Sequence, residues 1–114
     1  MGIKIIGTGK YLPEKVITNE DISQHVDTNH EWILDRTGIE QRRIATTESS
    51  LDMAAAAAEQ ALQGIDRDSI GLVVVATITP DNITPSMAAQ VKKELGLEHA
   101  IAFDINAACS GFVY

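Results

Sequence analysis

The sequence predicts an α/β fold with a parallel sheet covered by helices, and two observations carry that prediction. From residue 49 onward, the patterns alternate in the order helix, strand, helix, strand, helix, which is the repeating unit of a doubly wound sheet. Leu72–Ile78 (LVVVATI) is apolar without a break, as is typical of a strand buried on both faces in the middle of such a sheet. Because so central a strand needs more cover than 114 residues offer, we expect residues 1–114 to be one incomplete N-terminal domain of a longer α/β enzyme.

Other segments also have the composition of strands. Ile3–Leu12 is rich in β-branched residues and contains Gly7 and Gly9, which predicts an opening strand with a kink or a close backbone approach. Residues 39–45 (IEQRRIA) and 100–107 (AIAFDINA) are expected to be extended as well.

Capping residues mark the starts of the helices between these segments. Four starts are expected, in chain order: Thr18 or Asn19, then Thr28 or Asn29, then Ser49 or Ser50 with Asp52 completing a capping box, then Thr84 with Pro85 at the first helical position. Gly38, Gly64 and Gly96 are expected to end the last three of these helices.

Charge and composition exclude several classes of protein. The net charge is −7 and few basic residues cluster, among them Arg36, Arg42 and Arg43, which argues against a nucleic-acid partner. No apolar stretch approaches the roughly 18 residues of a membrane span, and the first residues lack a signal-peptide core. The single cysteine allows no internal disulfide, and no Cys/His cluster has the spacing of a zinc site. We therefore expect a soluble cytoplasmic protein without a metal site.

The stretch AFDINAACSGFVY contains that cysteine, Cys109, a few residues after a predicted parallel strand. Ligands and catalytic groups gather at the carboxyl ends of such strands. A new helix is expected to begin near Ala108, and a helix N-terminus favours a thiolate and lowers the pKa of a cysteine. Its N–H groups can also form an oxyanion hole. Cys109 is thus a candidate nucleophile, although a buried and inert cysteine is the commoner case.

Trp32 and Arg36 are four residues apart in the second predicted helix and so share a face. An aromatic ring and a guanidinium together suit a base and its phosphates. The alternative is that Trp32, the single tryptophan, fills the core while Arg36 is solvated. Among the histidines, His25 and His30 are expected to be solvated, and His99 lies across a strand from Cys109, which is too far for catalysis.

Four blocks of the chain resemble the family of β-ketoacyl-acyl-carrier-protein synthase III, the initiating condensing enzyme of bacterial fatty-acid synthesis. They are IIGTGKYLPEKVITNEDI, DTNHEWILDRTGIEQRRIA, IGLVVVATITPDNITPS and NAACSGFVY, in the order and at the spacing of that family. The resemblance implies a thiolase-like fold, of which this chain would form part of the N-terminal half of a duplicated αβαβα layered architecture. It also implies a homodimer.

The resemblance further implies roles for individual residues. Cys109 would take the acyl group of a short acyl-coenzyme A, and malonyl-acyl carrier protein would then condense with it while losing carbon dioxide. Trp32 would stack on the adenine of coenzyme A, with Thr28 and Arg36 nearby. A histidine and an asparagine that assist the second stage would lie beyond this chain, so these 114 residues alone are not expected to complete a condensation.

The resemblance also bears on specificity and on partners. Many relatives carry a bulky aromatic residue that closes the acyl pocket of the dimer partner, where this chain has Thr84, which predicts tolerance of longer or branched acyl groups. Arg42 and Arg43 are candidates for contact with the acidic carrier protein, and a solvated strand face explains them equally well. No bound cofactor is expected, because both acyl carriers are substrates.

Two alternatives remain open at this point. A thiolase or a hydroxymethylglutaryl-coenzyme A synthase type of enzyme would share the fold and the cysteine, but the EWILDRTGI block does not support it. A non-catalytic structural or dimerisation role is the alternative from another class, in which the cysteine would be buried.

Overall fold

The computed structural model describes residues 2–114 and divides them into two compact units. The small unit is Leu12–Glu48, and the large unit combines the residues up to Tyr11 with Ser49–Tyr114. No helix in residues 2–114 is long and apolar enough to cross a membrane.

The small unit contains two short helices and a two-stranded antiparallel sheet. Its elements are β1 (Lys15–Thr18), α1 (Asn19–Ser23), α2 (His30–Thr37) and β2 (Gln41–Ile44), with Lys15 opposite Ile44 in the register of the sheet. Both predicted helix starts are confirmed. Thr18 caps α1 in a capping box with Asp21, and Asn29 caps α2 by accepting a hydrogen bond from the N–H of Trp32. Gly38 ends α2 in the left-handed region, at φ 70°, as expected.

Asn19 holds the small unit together. Its side chain is fully buried, and buried amides are stable only when they are hydrogen-bonded. It donates to the carbonyl of Ile39 at 2.7 Å and accepts from Nη1 of Arg42 at 3.0 Å. The guanidinium of Arg43 donates to the carbonyl of Pro13 at 3.0 Å. Both arginines therefore donate hydrogen bonds within this unit, while Arg43 stays exposed as a solvated strand face would have it.

The large unit has the expected helix and strand alternation. Its elements are α3 (Ser50–Ala61), β3 (Leu72–Ala76), α4 (Met87–Glu94) and β4 (Ile101–Ile105), with one-turn 3₁₀ segments at Arg67–Ser69 and Ala108–Ser110. The strands β3 and β4 pair in parallel, with Leu72 opposite Ile101. Ser49 caps α3 in a capping box with Asp52, as predicted.

The core of the large unit lies on one face of the sheet. Its buried members are Met87, Val91, Leu95, Leu97 and Ala100, and side chains from α3 and β3 pack against them. The expectation that both faces of Leu72–Ile78 are buried is not met in residues 2–114, because exposure alternates along β3. Leu72 is 52% exposed and Val74 is 43% exposed, on the face opposite the core.

The predicted opening strand over Ile3–Leu12 is wrong. This segment has no regular secondary structure, and the parallel sheet contains β3 and β4 alone among the described residues. A strand needs a neighbour to take its backbone hydrogen bonds. The segment lies on α3 instead, where Lys10 N–H donates to Gln60 at 3.3 Å. The predicted close backbone approach is confirmed, since a Cβ at Gly7 or Gly9 would collide with carbonyl oxygens of α3.

The predicted start of the fourth helix is also wrong by two residues. Ser86, not Thr84, caps α4 by accepting from the N–H of Ala89 at 3.2 Å. The N–H groups of Met87 and Ala88, the two residues directly after Ser86, donate to the two carboxylate oxygens of Asp104 on β4, at 2.8 and 2.7 Å. With its first donors satisfied in this way, the helix begins at Met87 and Pro85 lies outside it.

Candidate functional site

Cys109 lies at the carboxyl end of the parallel strand pair, as the sequence predicts. It follows the end of β4 by four residues, in the one-turn 3₁₀ segment Ala108–Ser110, and it is exposed. The alternative of a buried, inert cysteine is therefore not what the structure of the large unit contains.

The helix predicted to begin near Ala108 is present as a 3₁₀ turn, and the N–H of Tyr114 then donates to the carbonyl of Ser110 at 3.2 Å, the spacing of an α-helix. Ser110 N–H donates to the carbonyl of Ala107 at 3.0 Å and Gly111 N–H to that of Ala108 at 3.1 Å, the spacing of a 3₁₀ turn. Ala107 offers no side chain to cap a helix. Ala108 has a φ of 45°, in the left-handed region that an alanine rarely adopts. Such strained residues cluster at functional sites, where they aim a neighbouring side chain.

Gly111 allows this turn to pack against the end of β3. It is buried, and a Cβ built on it would lie 3.0 Å from the Cβ of Ala76 and 3.2 Å from the carbonyl oxygen of Ala108. Both contacts are tighter than ordinary van der Waals separations. The turn that presents Cys109 therefore requires a residue without a side chain two positions later.

A cavity of about 360 Å³ opens beside the cysteine. Its wall consists of Cys109 and Ala108 together with the residues that leave β3, which are Ala76, Thr77, Ile78 and Thr79. The N–H of Thr77 donates to the carbonyl of Ile105 at 3.1 Å and so prolongs the ladder between the two strands. The carboxyl ends of both strands thus shape the space in front of the thiol.

The segment from Thr77 to Ser86, here called the Thr77–Ser86 loop, contains Thr84, which is exposed. In the middle of this loop, Asp81 accepts hydrogen bonds from the N–H of Ser50 at 3.2 Å and of Leu51 at 2.8 Å, at the start of α3. The hydrogen bond from Leu51 holds the pKa of the Asp81 carboxyl below its ordinary value. Neither Asp81 nor Asp104 was predicted from the sequence. For Asp104 a signal was present, because it is an acidic residue inside the apolar run IAFDI.

In the small unit, Trp32 and Arg36 share a face of α2, as predicted. The guanidinium carbon of Arg36 lies 4.5 Å from the centroid of the Trp32 ring, a cation–π contact. Trp32 is 51% exposed, so the alternative in which it fills the core is wrong. The ring offers an aromatic surface to solvent with a cation already placed beside it.

A cavity of about 430 Å³ adjoins this ring and also contains Thr28. Its other walls are Ile22, Val26, Asp27, Asn29 and Ile33. The hydroxyl of Thr28 is buried and has no hydrogen-bond partner among the described residues. A buried hydroxyl without a partner carries a cost in free energy, which a polar ligand at this position would relieve. The structure therefore brings Thr28 and Trp32 together at one cavity.

In the large unit, the one histidine, His99, lies away from Cys109 as expected. His99 precedes β4 and lies 3.9 Å from Asp68, at the opposite end of the strand from Cys109. His30 of the small unit is less solvated than expected, because its Nδ1 lies 3.3 Å from Asn19 and 3.5 Å from Glu20. Within residues 2–114, no three His, Cys, Asp or Glu side chains lie close enough together to hold a metal ion.

Comparison with known proteins identifies close relatives along the whole chain. A β-ketoacyl-acyl-carrier-protein synthase III from Clostridium acetobutylicum is 49% identical in an alignment of 114 positions that covers 98% of this chain. The crystal structure of 3-oxoacyl-acyl-carrier-protein synthase III from Aquifex aeolicus superposes with a TM-score of 0.93 at 49% identity, over 99% of this chain. The resemblance to β-ketoacyl-acyl-carrier-protein synthase III is confirmed. A priming β-ketosynthase from the R1128 polyketide pathway follows with a TM-score of 0.89 at 40% identity, over 96% of this chain and 34% of that one.

This chain corresponds to only part of each of these synthases. The chain spans 35% of the length of the Clostridium synthase and 37% of the Aquifex chain. No model of a known protein family matches it. Its fold is thiolase-like and fits an N-terminal half of the condensing enzymes, as the resemblance implied.

Proposed function

We propose that the protein containing this chain is a β-ketoacyl-acyl-carrier-protein synthase III, which begins fatty-acid synthesis by joining a short acyl group to a malonyl unit. One observation carries the proposal. An exposed cysteine stands on a strained turn at the carboxyl end of a parallel strand pair, beside an open cavity, in a chain half identical to synthases of that name.

Cys109 is the acyl acceptor in this proposal. Its thiolate sulfur attacks the carbonyl carbon of an acyl-coenzyme A, and the bond from that carbon to the sulfur of coenzyme A breaks, so coenzyme A leaves as its thiolate and takes a proton from water. In the second stage malonyl-acyl carrier protein loses carbon dioxide, and the resulting carbanion attacks the carbonyl of the acyl-cysteine. The bond to Cys109 then breaks, which releases the β-ketoacyl product and restores the thiolate.

The small unit binds the nucleotide end of coenzyme A in this proposal. An adenine stacks on the exposed face of Trp32, the hydroxyl of Thr28 finds the partner it lacks, and Arg36 supplies positive charge for phosphate. No metal or other cofactor is required by the chemistry. The protein acts in the cytoplasm as a homodimer, with acyl carrier protein as its protein partner.

Acylation of Cys109 tests the proposal directly. The full-length protein is incubated with acetyl-coenzyme A, and intact-mass and peptide mass spectrometry locate the adduct. We expect one acetyl group on Cys109, none in the Cys109→Ala variant, and slower labelling at low substrate concentration in Trp32→Ala than in Trp32→Phe. A folded protein that takes up no acyl group would contradict the proposal and favour a structural role.

Thr84 adds a prediction about the acyl group. We propose that it lies at the end of the acyl pocket of the dimer partner, where its small size leaves room. Labelling with acetyl-, isobutyryl- and octanoyl-coenzyme A is expected to give comparable rates for all three, and Thr84→Phe is expected to slow octanoyl transfer most. A strict preference for acetyl in the unaltered protein would show that this position does not set the pocket length.

A further inference from the structure

The Thr77–Ser86 loop is fixed to the rest of the large unit at three places. At its start, the N–H of Thr77 is bonded to the carbonyl of Ile105 on β4. At its end, Ser86 caps α4, and the following N–H groups are bonded to Asp104. The third place is in the middle, where Asp81 binds the start of α3.

The contact in the middle uses both carboxylate oxygens of Asp81. Oδ1 accepts from Ser50 and Oδ2 from Leu51, so two N–H groups of the first turn of α3 are satisfied by a residue 30 positions away in the chain. These donors have no partner within the helix, and the helix dipole favours a negative charge beside them. Ser49 and Asp52 already cap the same helix locally. The hydrogen bonds to Asp81 are therefore additional to this local capping, and their specific effect is to hold the loop.

The held loop carries the residues that face the proposed substrate. Thr77, Ile78 and Thr79 line the cavity beside Cys109 and lie at the start of the loop, before Asp81. Thr84 lies between Asp81 and the start of α4. Without Asp81, the loop would be fixed only at its two ends, and a longer free segment samples more conformations.

We propose that Asp81 is a positioning residue that sets acyl-group selectivity, because it holds the Thr77–Ser86 loop on α3 and thereby fixes the cavity wall and the location of Thr84. Asp81 itself does not line the cavity beside Cys109. The inference rests on the proposed acylation of Cys109 and extends it to the origin of its specificity.

The test compares Asp81→Asn with Asp66→Asn in the full-length protein. The amide that Asp81→Asn introduces has a donor in place of one accepting oxygen, and this donor faces the N–H groups of α3. Asp66 is a matched control, because its carboxylate also accepts from a backbone N–H, that of Asp68 at 3.1 Å, in a turn that does not line the cavity. Asp81→Ala serves as a second variant that removes both oxygens.

Two measurements are made on each protein. Amide hydrogen exchange is expected to be faster in residues 77–86 of both Asp81 variants, with β3 and β4 unchanged. The ratio of octanoyl to acetyl transfer onto Cys109 is expected to change by on the order of tenfold, since small misplacements near a reacting group have large effects on rate. Alkylation of Cys109 by iodoacetamide is expected to change by less than about twofold, because the thiol remains on its own turn.

The outcomes separate the inference from the function on which it rests. An acyl ratio that stays at the value of the unaltered protein and of Asp66→Asn overturns the positioning role, whether or not hydrogen exchange rises. An unaltered protein that is not acylated at all overturns the proposed function first, and the inference with it.

Discussion

At the scale of single residues, the turn that carries Cys109 depends on two neighbours with small or absent side chains. Ala108 adopts a positive φ and Gly111 has no side chain, and together they let Cys109 stand exposed above the end of β3. Neither residue carries chemistry. Their contribution is to leave the sulfur atom exposed beside the cavity.

Gly111→Ala is expected to disturb this turn. The added methyl would lie 3.0 Å from the Cβ of Ala76, and overpacking of this kind costs about 1–3 kcal/mol. Because the turn must shift to relieve the contact, acylation of Cys109 should slow as well. Denaturant unfolding and the rate of acetyl transfer measure the two effects.

Gly71→Ala is the matched control for that substitution. A Cβ at Gly71 meets nothing within 4 Å, and Gly71 has no positive φ. We expect stability and acylation close to those of the unaltered protein. Equal effects of the two substitutions would show that the close approach at Gly111 is not what shapes the site.

At the scale of elements, the starts of the helices were the most predictable feature. Thr18, Asn29 and Ser49 cap α1, α2 and α3 as expected, since capping depends on a local pattern of side-chain and backbone groups. The start of α4 was mispredicted because Asp104, from a strand far along the chain, binds its first N–H groups. Local patterns do not contain such a partner.

The candidate site shows the same division between local and distant information. The location of Cys109 after a parallel strand and the shared face of Trp32 and Arg36 follow from spacing. The close approach of Gly111 to Ala76 and the contact of Asp81 with α3 depend on residues brought together by the fold. The prediction of a strand over Ile3–Leu12 was wrong for the same reason, because a strand exists only where another strand takes its hydrogen bonds.

The contact between Asp81 and α3 predicts a change in stability with pH. Hydrogen bonds to its charged form, that of Leu51 first, lower the pKa of Asp81 from its ordinary value of 3.8. A carboxyl whose pKa is lowered by folding stabilises the protein above its unfolded pKa, and that contribution is lost as the pH falls through the lower folded value. The stability added by Asp81 should therefore be constant near neutral pH and decline below about 3.8.

Unfolding by denaturant at a series of pH values checks this prediction. The difference in the free energy of unfolding between the unaltered protein and Asp81→Asn isolates the contribution, because all other acidic groups titrate in both proteins. We expect the difference to be constant from neutral pH down to mildly acidic pH and to shrink as the pH falls below about 3.8. A difference that does not change at the lowest pH would mean that the charge of Asp81 contributes nothing to the contact.

At the scale of the whole molecule, burial is confined to one face of the parallel sheet in the large unit. Leu97 and its neighbours beneath α4 are almost completely buried, while Leu72, Val74, Ile101 and Phe103 on the other face are 43–70% exposed. Hydrophobic stabilisation scales with the apolar area removed from water. The stability of the large unit should therefore come from the α4 face of the sheet.

Two substitutions of the same kind test this asymmetry in the 114-residue chain. Leu97 is 3% exposed and Leu72 is 52% exposed, so Leu97→Ala and Leu72→Ala remove equal groups from unequal surroundings. The first should lower the free energy of unfolding by about 2–5 kcal/mol, because it leaves a cavity in a packed core. The second should cost less than about 1 kcal/mol, because the side chain is already half in water. Denaturant unfolding of both variants decides the matter, and a cost for Leu72→Ala as large as that for Leu97→Ala would mean that the second face is covered in the chain in solution.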